Sequence, residues 1–292
     1  MSGPDGEGVR ETANPAGPPR FGQGASGVGV VRYLRFDREE VPPVEGDPYP
    51  SFISRAPVDP HLTQGGGRLH TGALLTLVDI IGGLTGGMAA LPDWVMTTSL
   101  VGQMGLQPHI GPLRFDARVL RRGRRSVIAA VEVIDEGAGG AWAASCLLTS
   151  ACMATGNGAP SIPRPVHSPM DEADPAPEPV EDFFGIVPGE GPVTRLELDA
   201  RLRNPWGVLH GGAVCVLVDV AATRALAAVG GRASLATDEV LQFLNPIRVG
   251  PAEARATVMG ERSDGHVLRI AVHDVGAGDR LCALATVTLR PV

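Results

Sequence analysis

Apolar residues recur at spacings of three and four from Val214 through Leu217, Val218, Ala221 and Ala222 to Ala225, the period of a helix with one broad buried face. Asp219 interrupts that face. A carboxylate placed there loses its water, at a cost of several kcal/mol or a shifted pKa. The pattern occurs twice: His70 and Asp79 precede His210 and Asp219 by 140 residues each, and Gln64 precedes Asn204 by the same interval. A period this long is a domain length rather than a solenoid unit.

The elements around the two helices repeat as well. Residues 28–36 and 193–198 read as first strands, 70–91 and 210–229 as the helices, and 94–107, 113–120, 126–134 and 141–151 as strands separated by Gly-containing hairpin turns. In the second half the corresponding strands are 233–244, 252–259, 267–275 and 281–289. This order predicts an α+β fold, a sheet against one long helix, in two copies. Residues 1–27 are rich in Gly and Pro and predict a disordered tail. Domain 1 then spans 28–154, a Pro- and acid-rich linker 155–182, and domain 2 183–292.

Composition narrows the function classes. The net charge of −7 argues against a nucleic-acid partner, and all 25 basic residues are arginine. The four cysteines, 146, 152, 215 and 282, form no C-x-x-C pair and no metal-ligand spacing, so no metal and no cofactor is expected, and reduced thiols suit an intracellular protein. The N-terminus lacks the apolar core of a signal peptide, and Asp79 and Asp219 interrupt the longest apolar runs before membrane-spanning length. The expectation is a cytoplasmic protein with no membrane partner.

The chemistry lies at the helix starts. The first N–H groups of a helix have no partner inside it, and Gly211 and Gly212 leave room for an oxygen to approach them; Thr71 and Gly72 hold the matching places. Gly211 and Asp219 are eight residues apart, about 12 Å of helix, whereas a base and an oxyanion donor must both lie about 3 Å from the reacting centre. One copy alone therefore cannot assemble a site. Two antiparallel helices would give two composite ones: Asn204, Gly211 and Gly212 with Asp79, and Gln64, Thr71 and Gly72 with Asp219. Gly82, Gly83 and Gly86 read as the surface that lets the helices approach.

The pattern N-x-x-G-x-x-H-G-G, an apolar helix carrying Asp, and the later segment Phe243-Leu-Asn-Pro246 resembles the hotdog-fold acyl-CoA thioesterases of the phenylacetate-pathway type. Gln64 in the amide position is similar to the 4-hydroxybenzoyl-CoA thioesterase group. The resemblance covers 28–154 and 183–290 and implies two tandem hotdog domains, each an antiparallel sheet wrapped around a long central helix, paired as a pseudo-dimer. It implies hydrolysis of acyl-CoA, with Asp79 and Asp219 as general base or nucleophile and amides from Gln64 and Asn204. It also implies an oxyanion donor at the Gly211 N–H, or at Thr71, where the family has glycine. A hydroxyl about 18 residues after the acid points to Thr97 or Thr98 and to Thr237. Association into a homodimer or higher oligomer of such double chains also follows from it.

Several residues carry two readings each. His70 and His210 are helix-start residues or catalytic helpers, and Thr223 serves the Asp219 carboxylate or a backbone carbonyl. Trp206 lines an acyl pocket or staples its loop, and Arg121, Arg122, Arg124 and Arg125 meet coenzyme A phosphates or form a solvated hairpin tip. Two functions compete with hydrolysis: acyl-CoA binding without turnover, which Thr71 favours, and enoyl-CoA hydration or dehydration, for which no D-x-x-x-x-H segment is present.

Overall fold

The computed structural model describes residues 28–42, 48–49, 51–64, 66–154 and 177–292; the predicted tail and positions 155–176 of the predicted linker lie outside the described residues. Helix α2 spans Thr71–Ala90 and helix α4 Gly211–Ala228. Both are buried nearly all round. Each packs on its own half of the sheet and against the other, which satisfies helices with almost no polar face.

The strands form one antiparallel sheet of twelve. The first half supplies β1 (Glu39–Val41), β2 (Ser51–Ala56), β5 (Trp94–Met104), β6 (Leu113–Arg122), β7 (Ser126–Asp135) and β8 (Ala141–Met153). From the second half come β9 (Ile186–Pro188), β10 (Val193–Leu196), β11 (Ser234–Phe243), β12 (Ala252–Arg262), β13 (Gly265–Asp274) and β14 (Arg280–Pro291). The order β1-β2-β6-β7-β8-β5 meets β11-β14-β13-β12-β10-β9, so the halves are mirrored in strand order about the β5–β11 seam. A two-stranded ribbon, β3 (Thr63–Gln64) with β4 (Arg68–Leu69), leads into α2.

The register refines the repeat. The helices are offset by 140, since the N-caps are His70 and His210. The strands that follow are offset by 139: Thr97 pairs with Ser150 and Ser99 with Thr149, while Ala236 pairs with Leu289 and Asp238 with Thr288. Thr98 and Thr237 are the matching extra residues of two bulges. Side chains alternate faces along a strand, so one residue decides which side chains point inward. Under the 139 offset, buried Leu100 matches buried Glu239, and Gly102 matches Leu241.

Three expectations need correction. Residues 28–34 form a helix, α1 (Val28–Leu34), not a strand. Val30, Tyr33 and Leu34 are buried at helical spacing, and Gly29 packs so closely on the 3₁₀ turn Ala200–Leu202 that a Cβ would lie 2.7 Å from the Arg201 carbonyl oxygen. The first strand counterpart to β10 is β2, inside what read as a Pro-rich loop; Phe52, Ser54 and Ala56 alternate inward. The last part of the predicted linker is structured: α3 (Val180–Phe183) stacks Phe183 on Tyr33 with ring centroids 3.7 Å apart, and the Tyr33 hydroxyl donates to the Glu178 carbonyl at 2.8 Å.

Length also differs from expectation. Both long helices reach the length and apolarity of a membrane span, and 78% and 72% of those windows are buried inside the fold. Among the described residues, no group of His, Cys, Asp and Glu is arranged to hold a metal, and all four cysteines are free.

Candidate active site between the two central helices

The helices cross head to middle. A Cβ on Gly72 would lie 2.5 Å from Val216 Cα, and one on Gly212 would lie 2.1 Å from Thr76 Cγ2. Positions rise along one helix as they fall along the other, so the axes run antiparallel. The Thr76 hydroxyl lies 2.9 Å from the Gly212 carbonyl oxygen and 2.6 Å from that of Gly72, donating to one at a time. Gly72 and Gly212 make the approach. The face expected to do so does not: Gly82 packs on Leu148, Gly86 faces Val127, and a Cβ on Gly83 would meet nothing within 4 Å.

This crossing brings each carboxylate to the opposite helix start. Asp219 Oδ2 accepts from the Gly72 N–H at 3.1 Å. Asp79 lies beside Gly211, where a Cβ would come within 2.6 Å of Oδ2. Asp79 Oδ1 accepts from the Thr97 hydroxyl at 2.8 Å. Both acids are buried, Asp79 at 8% and Asp219 at 2% exposure. Burial raises the Asp219 pKa, against His70 and the Gly72 N–H, which lower it.

The histidines are caps. His210 Nδ1 accepts from the Gly212 N–H at 2.9 Å, and His70 Nδ1 from the Gly72 N–H at 3.1 Å. Burial lowers the His210 pKa despite Asp79, in keeping with a neutral ring whose Nδ1 lone pair accepts. His70 Nδ1 also lies 3.3 Å from Asp219 Oδ2, both atoms being drawn to one amide hydrogen. His210→Ala should cost about 1 kcal/mol of stability, as loss of an N-cap does, measured by urea denaturation.

The hydroxyls divide. Thr97 reaches Asp79, whereas Thr98 donates to the Thr149 carbonyl. Thr237, matched to Thr98 by the bulges, has Asp238 and the Thr288 carbonyl as alternative acceptors for its one hydroxyl hydrogen and is contacted by Arg290, so it does not serve Asp219. The true counterpart of Thr97 is Ala236, and Asp219 Oδ1 is buried without a partner among the described residues. Thr223 takes the backbone role, donating to the Asp219 and Val220 carbonyls.

The amides and aromatics sit close to the helix starts. Gln64 Nε2 donates to the Thr71 hydroxyl at 3.1 Å. Asn204 Oδ1 accepts from the N–H groups of Trp206 at 2.9 Å and Val208 at 3.3 Å, which shapes the turn before α4 and leaves its NH₂ as the donating group. Trp206 meets Trp94 edge to face at 5.4 Å, joining that turn to the strand that carries Thr97. Arg121, Arg122, Arg124 and Arg125 lie at the β6–β7 turn, as expected. Beside that turn Val127 packs on Gly86, about 10 Å of helix beyond Asp79, and Arg122 Nη2 is 3.7 Å from Asp93.

Glu239 is the residue that the sequence reading passed over. It is fully buried on the inner face of β11, opposite Gly102, and neither carboxyl oxygen has a partner among the described residues. Burial, and then Asp219, push its pKa well above the ordinary value. The alternation of Glu239 and Leu241 with exposed Val240 and Gln242 was the available signal.

Comparison with known proteins assigns the architecture. Residues 207–283 match the Thioesterase superfamily. The tesB protein of Mycobacterium avium subs paratuberculosis is similar at 14% identity and a TM-score of 0.59, over 91% of this chain and 99% of that one. The 12:0-ACP thioesterase of Umbellularia californica is similar at 13% identity and a TM-score of 0.58, over 83% and 94%. A protein of unknown function with a hot dog fold from Alicyclobacillus acidocaldarius is similar at 13% identity and a TM-score of 0.55, over 90% and 98%. At these identities the likeness is one of fold, and the chain has the hotdog fold.

Proposed function

We propose that the chain hydrolyses acyl thioesters, with acyl-CoA as the substrate class, where an aspartate of one central helix meets the first turn of the other. We further read the two halves as a duplication that supplies from one chain what a pair of identical hotdog subunits would supply together. The observation that carries the reading is Asp79, held by Thr97 on one side and set against the Gly211 turn on the other.

The parts suit the reaction. The carbonyl oxygen of a thioester placed at the start of α4 would receive the Gly211 N–H and the positive end of the helix dipole as it becomes an oxyanion. Asp79 takes a proton from water as the water oxygen attacks the carbonyl carbon, or attacks that carbon itself to give a mixed anhydride that water then hydrolyses; either way the C–S bond breaks, one water is consumed and the carboxylate is restored. The thiolate leaves without a strong general acid, because thiols ionise near pH ~8.5. The Asn204 NH₂ group, whose Oδ1 is taken up by the turn, would orient water or the thioester. A hydratase reading is less well supported, because both site histidines are occupied as helix caps.

The test is thiol release from a panel of acyl-CoA and acyl-carrier-protein thioesters. The Asp79→Asn, Asp219→Asn double variant should lose about 10³-fold in kcat/KM, within the usual range for a lost general base. Full activity in that variant overturns the assignment. Ligand binding with no thiol release supports a non-catalytic acyl-CoA binder instead.

A further inference from the structure

The two helix starts match in position but not in chemistry. We infer that they are functionally unequal: turnover takes place at the Asp79 site alone, and Asp219 is a brace tying α4 to the start of α2. The turnover half of this inference rests on the thioesterase reading; the brace does not.

Four differences carry it. The first is space. At the Gly211 position any Cβ would fall 2.6 Å from Asp79 Oδ2, in the gap between the acid and the helix start. In the other copy that position is Thr71, which has such a carbon, is only 5% exposed, and holds its hydroxyl against the Gln64 amide. That position carries a side chain, and the Gln64 amide donor is engaged by it.

The second is the amide that follows the oxyanion donor, Gly72 after Thr71 and Gly212 after Gly211. The Gly72 N–H is already shared between His70 Nδ1 and Asp219 Oδ2, each at 3.1 Å. The Gly212 N–H goes to His210 Nδ1, while Asp79 Oδ2 stands back at 3.9 Å from that nitrogen. A carbonyl oxygen arriving at α2 would have to displace a buried carboxylate; one arriving at α4 would not.

The third is orientation. Thr97 fixes Asp79 through a hydroxyl, and its counterpart Ala236 can fix nothing, which leaves Asp219 Oδ1 unpartnered. The fourth is charge. Where the first half has buried Leu100, the second has buried Glu239, so Asp219 stands near a second carboxyl that has no partner among the described residues and whose pKa it helps to raise.

Two measurements on the full chain decide the matter. In the thiol-release assay Asp79→Asn should lose at least a hundredfold in kcat, and Asp219→Asn less than fivefold; equal losses, or the reverse order, overturn the inference. Amide hydrogen exchange followed by NMR gives a readout that needs no substrate. Asp219→Asn should speed exchange at Gly72 at least tenfold, whereas Asp79→Asn should leave Gly212 within about twofold. Matched responses at the two glycines overturn the brace. If the wild-type chain releases no thiol from any thioester, the assignment of turnover falls with the proposed function, and the exchange result still decides whether Asp219 is a brace.

Discussion

Gly72→Ala should lower the free energy of unfolding by about 3 kcal/mol, the upper part of the range for overpacking a core. The added methyl would sit 2.5 Å from Val216 Cα and 3.1 Å from Val216 N, and these are backbone atoms that no rotamer change can move aside. The helices must separate, which also lengthens the Gly72 N–H to Asp219 hydrogen bond and loosens Thr76 from the Gly212 carbonyl. Thermal unfolding should fall by roughly 6–12 °C. Gly83→Ala is the matched control on the same helix: its methyl would meet nothing within 4 Å, and replacing a helical glycine by alanine should stabilise by about 0.5–1 kcal/mol. If both variants shift stability equally, glycine's role at the crossing is one of helix propensity rather than of close approach.

Glu239→Leu should have a large effect of the opposite sign. Leucine is the residue that the other half places at the matching position, Leu100, and its site is fully buried. Removing a buried carboxyl without partners recovers about 2 kcal/mol at pH 7, or roughly 4–8 °C in Tm. The pH dependence gives a sharper check. Burial raises the folded-state pKa of Glu239 above its ordinary 4.5, so above that pH the unfolded chain releases a proton that the folded chain retains. Wild-type stability therefore falls as pH rises from about 4.5 toward the folded-state pKa, and the gain from leucine is smallest below that window and grows through it. Urea denaturation of both proteins between pH 4.5 and 8 measures this. A constant difference across the range would mean that the carboxyl is partnered and ionised in the folded state.

Much of this architecture was legible in the amino-acid order. The two long helices and the four strands after each could be placed because a fully apolar helix and an alternating strand leave different periodicities. The four do not form one meander: β5 pairs with β8 and β11 with β14, so only the last three strands of each half are joined by hairpins. Other features were concealed. Residues 28–34 carry valines that suit a strand equally well, and only packing against the turn at Ala200–Leu202 makes them a helix. β2 has just Phe52 and Ile53 as large apolar residues and sits among prolines, so its alternation is faint.

What the order of residues determined by itself is the parts list and its necessary division: a carboxylate eight residues from a helix start cannot meet that start, because a helix is rigid and rises 1.5 Å per residue. Which parts meet was decided in three dimensions. The 139-residue offset of the sheets against the 140-residue offset of the helices gives Thr97 to Asp79, puts Ala236 at the matching register position of the second half and turns Glu239 inward. A strand alternates its faces at every residue, so a one-residue difference that barely affects similarity along the chain reverses the chemistry of a site.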